Sequence, residues 1–133
     1  SQLIAKELGG KKMFPAIDID LEIAPKDISW ELIEGIKKME PFGKENEEPV
    51  FLVRNLRVGD IRIVGNGSKH LKISVIAEDS PKVFECIGFG MGEKFSQIIK
   101  AGDKVDLVVN LQEDEWNGNR KIQLNIIDLK KTA

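Results

Sequence analysis

Gly88-Phe-Gly-Met-Gly-Glu-Lys-Phe-Ser-Gln-Ile-Ile-Lys-Ala-Gly-Asp-Lys104 (GFGMGEKFSQIIKAGDK) interrupts a run of strands with one short helix. Gly88, Gly90 and Gly92 make a tight turn into it. Phe95, Ile98 and Ile99 then recur at helical spacing, and Ala101-Gly102-Asp103 ends it. The glycines do not make a nucleotide loop. A P-loop closes on Lys followed by Ser or Thr, and the spacing here falls one residue short of the dinucleotide fingerprint.

Strand patterns lie on both sides of this helix. The first begins at Phe51. Its Leu56 and Val58 share one parity and Ile61 and Ile63 the other, so a bulge at Gly59-Asp60 is expected to restore register and bend the strand. Arg57 and Arg62 then both point away from the core. Gly65-Asn66-Gly67-Ser68-Lys69 is a turn. Leu71, Ile73, Val75 and Ala77 alternate in a second strand, Glu78-Asp79-Ser80-Pro81 turns again, and a third strand runs from about Lys82 to Phe89. After the helix, Val105, Leu107, Val109 and Leu111 form a fourth strand, and Ile122, Leu124 and Ile126 a fifth. Asn117-Gly118 joins these two, a pair that suits the φ > 0 positions of a type I′ hairpin turn. Three strands, a helix and two strands predict a mainly β fold. The expected architecture is a five-stranded OB-like barrel with one helix between strands 3 and 4. A small sandwich would leave that helix unexplained.

Upstream, Ile17-Asp-Ile-Asp-Leu-Glu-Ile23 alternates strictly and predicts a strand with Asp18, Asp20 and Glu22 on its wet face. With no histidine near, these carboxylates suit a solvated or subunit-facing edge better than a metal site. Asp27 or Ser29 is positioned to cap a helix reaching about Met39, with Ile28, Leu32, Ile36 and Met39 on one face. Glu40-Pro41-Phe42-Gly43 breaks it. Leu3–Leu8 reads as the end of an earlier helix stopped by Gly9-Gly10, as expected of a piece of a longer protein.

With 133 residues, 41% of them hydrophobic and 32% charged, the chain suits one core and aqueous surroundings. No apolar run approaches the roughly 18 residues of a membrane span, and no signal-peptide pattern opens the sequence. One cysteine excludes an internal disulfide and fits a reducing, cytoplasmic setting. Cys86 sits in an apolar strand pattern with no basic neighbour, as a buried small hydrophobe would. The net charge of −2 argues against a generic nucleic-acid binder, but it is uneven: residues 1–50 carry −4 and residues 51–133 carry +2.

An OB barrel binds oligonucleotides on its strand 2–3 face and with the loops joining strands 1–2 and 4–5. The candidate contacts are therefore Asn66, Lys69, His70 and Lys72 from the first loop, and Trp116, Asn117, Arg120 and Lys121 from the second. Arg57 and Arg62 join them if they form a stripe with Lys72. Lys and Arg would neutralise phosphates; Trp and His would offer faces for unpaired bases. Trp116 equally suits a side chain lying back across its own hairpin, and a lone His beside a turn suits a hydrogen-bonding or packing role. Glu113, Asp114 and Glu115 would repel phosphate. No catalytic constellation is visible, and one His cannot build a zinc site.

Several stretches carry a family likeness. Met39-Glu-Pro-Phe-Gly-Lys-Glu-Asn46, with Pro49 and Phe51, resembles the Leu-x-Pro-Phe-Gly-x-Gly-Asn-Pro-x-Pro-x-Phe segment of RecJ-type single-strand-specific exonucleases, which belong to the DHH family. His70-Leu71-Lys72, Phe89-Gly90, and Trp116-x-Gly118 followed by Gln123-Leu124-x-Ile126-x-Asp128 are similar to further segments of those proteins. Glu45 stands where the family has Gly, and Glu47-Glu48 replace its Pro and a neighbour. The resemblance implies the C-terminal OB region of such an enzyme, without the Asp-His-His core that binds manganese or magnesium. It implies a division into residues 1–24 as the tail of a preceding core domain, 25–50 as a connecting helix and loop, and 51–133 as the OB domain. The expected function is single-stranded DNA binding within a 5′–3′ exonuclease of DNA repair and recombination, with no catalytic residues, metal or cofactor in this stretch. The alternative is a docking domain that closes against the remainder of the nuclease or a single-strand-binding protein.

Overall fold

The computed structural model describes residues 14, 17–67 and 69–132, with Trp116 described through its backbone. The helix end expected over Leu3–Leu8 lies outside these residues. The elements are β1 (Leu21–Glu22), α1 (Trp30–Lys37), β2 (Phe51–Val64), β3 (His70–Ala77), β4 (Val83–Gly88), α2 (Gly92–Ser96), β5 (Lys104–Trp116) and β6 (Asn119–Thr132). A 3-10 turn, Pro25–Asp27, precedes α1.

β2 pairs antiparallel with β3, and β3 with β4. β4 runs parallel to β6, β6 antiparallel to β5, and β5 antiparallel back to β2. The ring is a closed, mixed, five-stranded barrel, the expected OB arrangement, with α2 between its third and fourth strands. β1 is an added strand, laid parallel on the start of β2. Alternation sends Leu71, Ile73 and Val75 of β3, Val105, Leu107 and Val109 of β5, and Leu124 of β6 into one core. Cys86 is fully buried there, and loss of solvation pushes its thiol well above the usual range, as expected for an inert hydrophobe.

β2 serves two neighbours. Residues 51–57 pair with β5 and residues 56–64 with β3. It does so by bending at two bulges. The predicted one falls between Val58 and Ile61, where the Asp60 N–H donates to Ser74 Oγ at 2.8 Å. A Cβ on Gly59 would lie 2.6 Å from that same oxygen, so the close approach requires glycine. The second bulge, between Val53 and Leu56, was not predicted. Asn55 adopts φ +62° there and donates its N–H to Asp106 Oδ1 at 3.1 Å. Asp106 is 3% exposed, a buried carboxylate at the seam between β2 and β5.

The N-terminal expectations are partly corrected. The strand over 17–23 contracts to Leu21–Glu22: among the described residues its backbone bonds the start of β2 only through Asp20, Leu21 and Ile23, to Val50 and Leu52, while the Ile17 N–H donates to the Phe14 carbonyl. Ile19 packs instead with Phe14, Leu52 and Val108 in a second small cluster. The three carboxylates disperse: Asp18 is exposed, Asp20 Oδ2 accepts the Val50 N–H at 2.8 Å, and Glu22 pairs with Arg54 Nε at 3.3 Å. Ser29 caps α1, its Oγ accepting the Leu32 N–H at 3.2 Å. The buried face of α1 is Ile33 and Ile36, which join Ile28 and the strands in the main core. Met39, expected on that face, lies past the helix end and is exposed. In the α2 region Phe95 and Ile99 are buried but Ile98 is not.

Asp106→Ala is expected to lower folding stability by about 0.5–1.5 kcal/mol, the net worth of the part-buried hydrogen bond from the Asn55 N–H. Asp106→Asn keeps an acceptor oxygen in place and should recover most of the loss. Urea unfolding of the two variants against the parent chain checks this; equal losses would reject the bulge hydrogen bond as the cause.

Candidate nucleic-acid interface

The outward residues of β3 and β4 form cross-strand rows. Lys72 stands opposite Ile87, Ser74 opposite Glu85, and Ile76 opposite Val83. Arg62 of β2 stands opposite Lys72, so the two cations share a face. Asn125 of β6 continues the row beyond Ile87. The β5–β6 hairpin closes through a Trp116–Asn119 pair, with φ +51° at Asn117 and +79° at Gly118, the type I′ signature. The rising hairpin places Asp114, Asn119 and Lys121 across from Lys72, and these four line a cleft of about 480 Å³.

Of the residues singled out by sequence, Lys72 and Lys121 therefore meet, and Arg62 joins them through the β2–β3 pairing. Asn66 and Lys69 are exposed on the turn that leads into β3, and the Lys69 carbonyl accepts the Gly92 N–H at 2.9 Å. Asn117 occupies the exposed hairpin tip. The side chain of Trp116 lies outside the described residues.

Two arginines are held elsewhere. Arg57 pairs with Ile76, four residues along β3 from Lys72, or about 13 Å. Its guanidinium lies 3.9 Å from Glu78, which Lys104 also approaches at 3.3 Å. Arg120 Nη2 lies 2.7 Å from Glu113 and 3.2 Å from Glu34 of α1, and its guanidinium sits 4.6 Å from the Trp30 ring centroid. Lys37 of α1 also donates to Glu113. Arg120 thus fastens the hairpin to α1, and Trp30 is part of that fastening.

His70 begins β3, and its Nδ1 accepts the Gly90 N–H at 3.0 Å. Its ring fits against Gly65, where a Cβ would come within 2.7 Å of Cδ2. Phe89 meets this ring edge-to-face, with centroids 5.3 Å apart and planes at 75°. The strand expected to reach Phe89 stops at Gly88, and Phe89 enters the turn with 60% of its surface exposed. By sequence Phe89 is the end of a strand and half of the family-like Phe89-Gly90 pair, with no binding role for its ring. Gly90, which turns the chain outward with φ +73°, was the available signal.

Glu113 carries the electrostatics of the hairpin base. Hydrogen bonds from Arg120 and Lys37 hold its carboxyl down at about 2, against an ordinary 4.5. A depressed folded-state value means the contribution is present above the unfolded value and is lost as pH falls from about 4.5 toward 2. Glu113→Gln should therefore be less stable than the parent at pH 6, with the difference closing by pH 2–3. Thermal melts across that range check it; a difference independent of pH would assign the loss to packing.

The profile described as "RecJ OB domain" matches residues 19–128. The Bacillus subtilis single-stranded-DNA-specific exonuclease RecJ is 30% identical over 128 residues, which are 96% of this chain but 16% of that protein. The crystal structure of RecJ with Mg2+ from Thermus thermophilus superposes with a TM-score of 0.57 at 22% identity, over 92% of this chain and 21% of that one. The yeast mitochondrial single-stranded DNA binding protein Rim1 superposes with a TM-score of 0.50 at 12% identity, over 64% of this chain and 96% of that one, a likeness of fold. With the profile spanning both the barrel and α1, the chain belongs to the RecJ OB domain family.

Proposed function

We propose that this chain binds single-stranded nucleic acid as the OB region of a RecJ-like 5′–3′ single-strand exonuclease, a cytoplasmic enzyme of DNA repair and recombination. The observation that carries the reading is the Lys72–Lys121 cleft with Arg62 beside it, on the face and hairpin that OB barrels use for oligonucleotides. The relative from Bacillus subtilis is named for single-stranded DNA. In this reading the strand lies between a sheet face and a hairpin, with its phosphates toward Lys72 and Lys121.

The described residues contain no group of three or more His, Cys, Asp or Glu placed to hold an ion. In this reading hydrolysis belongs to other parts of a RecJ-like protein, and the barrel holds the strand. No described helix is long and apolar enough to cross a membrane.

A docking role has its own observation. Trp30, Ile76 and Val83 are exposed apolar side chains. Trp30 and Val83 line a groove of about 530 Å³ between the start of α1, β4 and β6. The remainder of the nuclease, or a single-strand-binding protein, is the partner this surface would meet.

The tests separate the two. Labelled single strands should bind more tightly than the matching duplex, with a log–log salt slope of about −1.4 to −2.8 for two to four phosphates. Lys72→Ala with Lys121→Ala should reduce both affinity and slope, while Lys44→Ala, on the connector loop and not among the residues lining the cleft, should leave them unchanged. Anisotropy titrations at several salt concentrations measure this. Absence of single-strand binding at low salt would hand the barrel to the docking role.

A further inference from the structure

We propose that Phe89 is a base-stacking platform of this interface, and that His70 is the residue that positions it. The proposal rests on the single-strand-binding reading. Phe89 contributes to neither hydrophobic cluster and leaves most of its ring in solvent. Its ring is not spent on the core and stands instead against His70. Its surroundings are fixed. The Gly90 N–H bond to Nδ1 sets the His70 ring plane and puts the proton of the neutral ring on Nε2. Gly65 leaves the space that the imidazole occupies. The imidazole then meets Phe89 edge-to-face, a preferred arrangement for aromatic pairs.

The location suits an unpaired base. Phe89 follows β4 directly where Leu71 pairs with Gly88, one step before the Lys72–Ile87 row. Lys69 and Lys72 flank His70 in sequence, and Arg62 stands across from Lys72. A base on the Phe89 ring would place its own phosphates among these cations, the combination of aromatic face and basic groove that holds single strands. From the His70 end of β3 to Ile76 the face extends about 20 Å, so the site is short, at the low end of the roughly 4–16 nucleotides of one OB fold. Stacking needs a π face and makes no demand on base identity, so tolerance of sequence is expected.

The experiment is anisotropy with a fluorescein-labelled oligothymidylate of about 12 nucleotides at low salt, alongside thermal melts. Phe89→Ala should weaken binding by about fivefold to a hundredfold, the range of one stacked base, with the melting temperature unchanged. Phe89→Leu should lose most of the same affinity, because it keeps apolar bulk without a π face, and Phe89→Trp should retain it. If Phe89→Leu binds like the parent chain, stacking is rejected. If Phe89→Ala leaves binding intact while Lys72→Ala with Lys121→Ala reduces it, Phe89 is rejected and the single-strand reading stands. If the parent chain itself fails to bind, both fall. For His70, the His70→Ala loss should vanish in the Phe89→Ala background; additive losses would make His70 an independent contact and overturn its positioning role.

Discussion

The barrel depends on one strand being shared by two others. β2 must supply hydrogen bonds to β5 with its first half and to β3 with its second, and a straight strand cannot face both. Its two bulges provide the bend, and each is secured by a side chain from the neighbouring strand: Asp106 of β5 at Asn55, Ser74 of β3 at Asp60. Once β2 turns, the parallel contact between β4 and β6 closes the ring, and the edges that an open sheet would leave exposed disappear.

Closure also creates the candidate interface. It curves β3 and β4 so that their outer face lies beside the long β5–β6 hairpin, and Lys72 and Lys121 come to line one cleft although 49 positions apart. The hairpin touches α1 through Arg120, which reaches Glu34 and the face of Trp30, and through Glu113, which Lys37 meets. Charges that look alike in sequence therefore divide by task. Arg120 anchors the hairpin to α1, Arg57 shares Glu78 with Lys104, Lys72 and Lys121 line the cleft with Asp114 and Asn119, and Arg62 stands opposite Lys72 on the neighbouring strand.

Much of the fold was legible because its signals are local. Period-two alternation, the turn at Gly65–Lys69, Asn117-Gly118 and the parity break around Gly59 each act within a few residues. The second bulge left a similar trace in the switch from Val53 to Leu56, but Asn55 needs an acceptor 51 positions away, and no local pattern reveals it. The strand over 17–23 failed for the complementary reason. Alternation specifies which side chains are wet, while a strand also needs a partner edge, and among the described residues the pairing with β2 covers only Leu21 and Glu22.

By itself the sequence determined the element order, the inward and outward faces of the barrel strands, the type I′ hairpin and the inert burial of Cys86, all consequences of periodicity, turn stereochemistry and hydrophobicity. Tertiary structure alone decided which cations meet, that Trp30 stacks on Arg120, and that Phe89 leaves the core to stand against His70. Those outcomes depend on distances between residues far apart in the chain, and barrel closure sets such distances only after every strand has found its register.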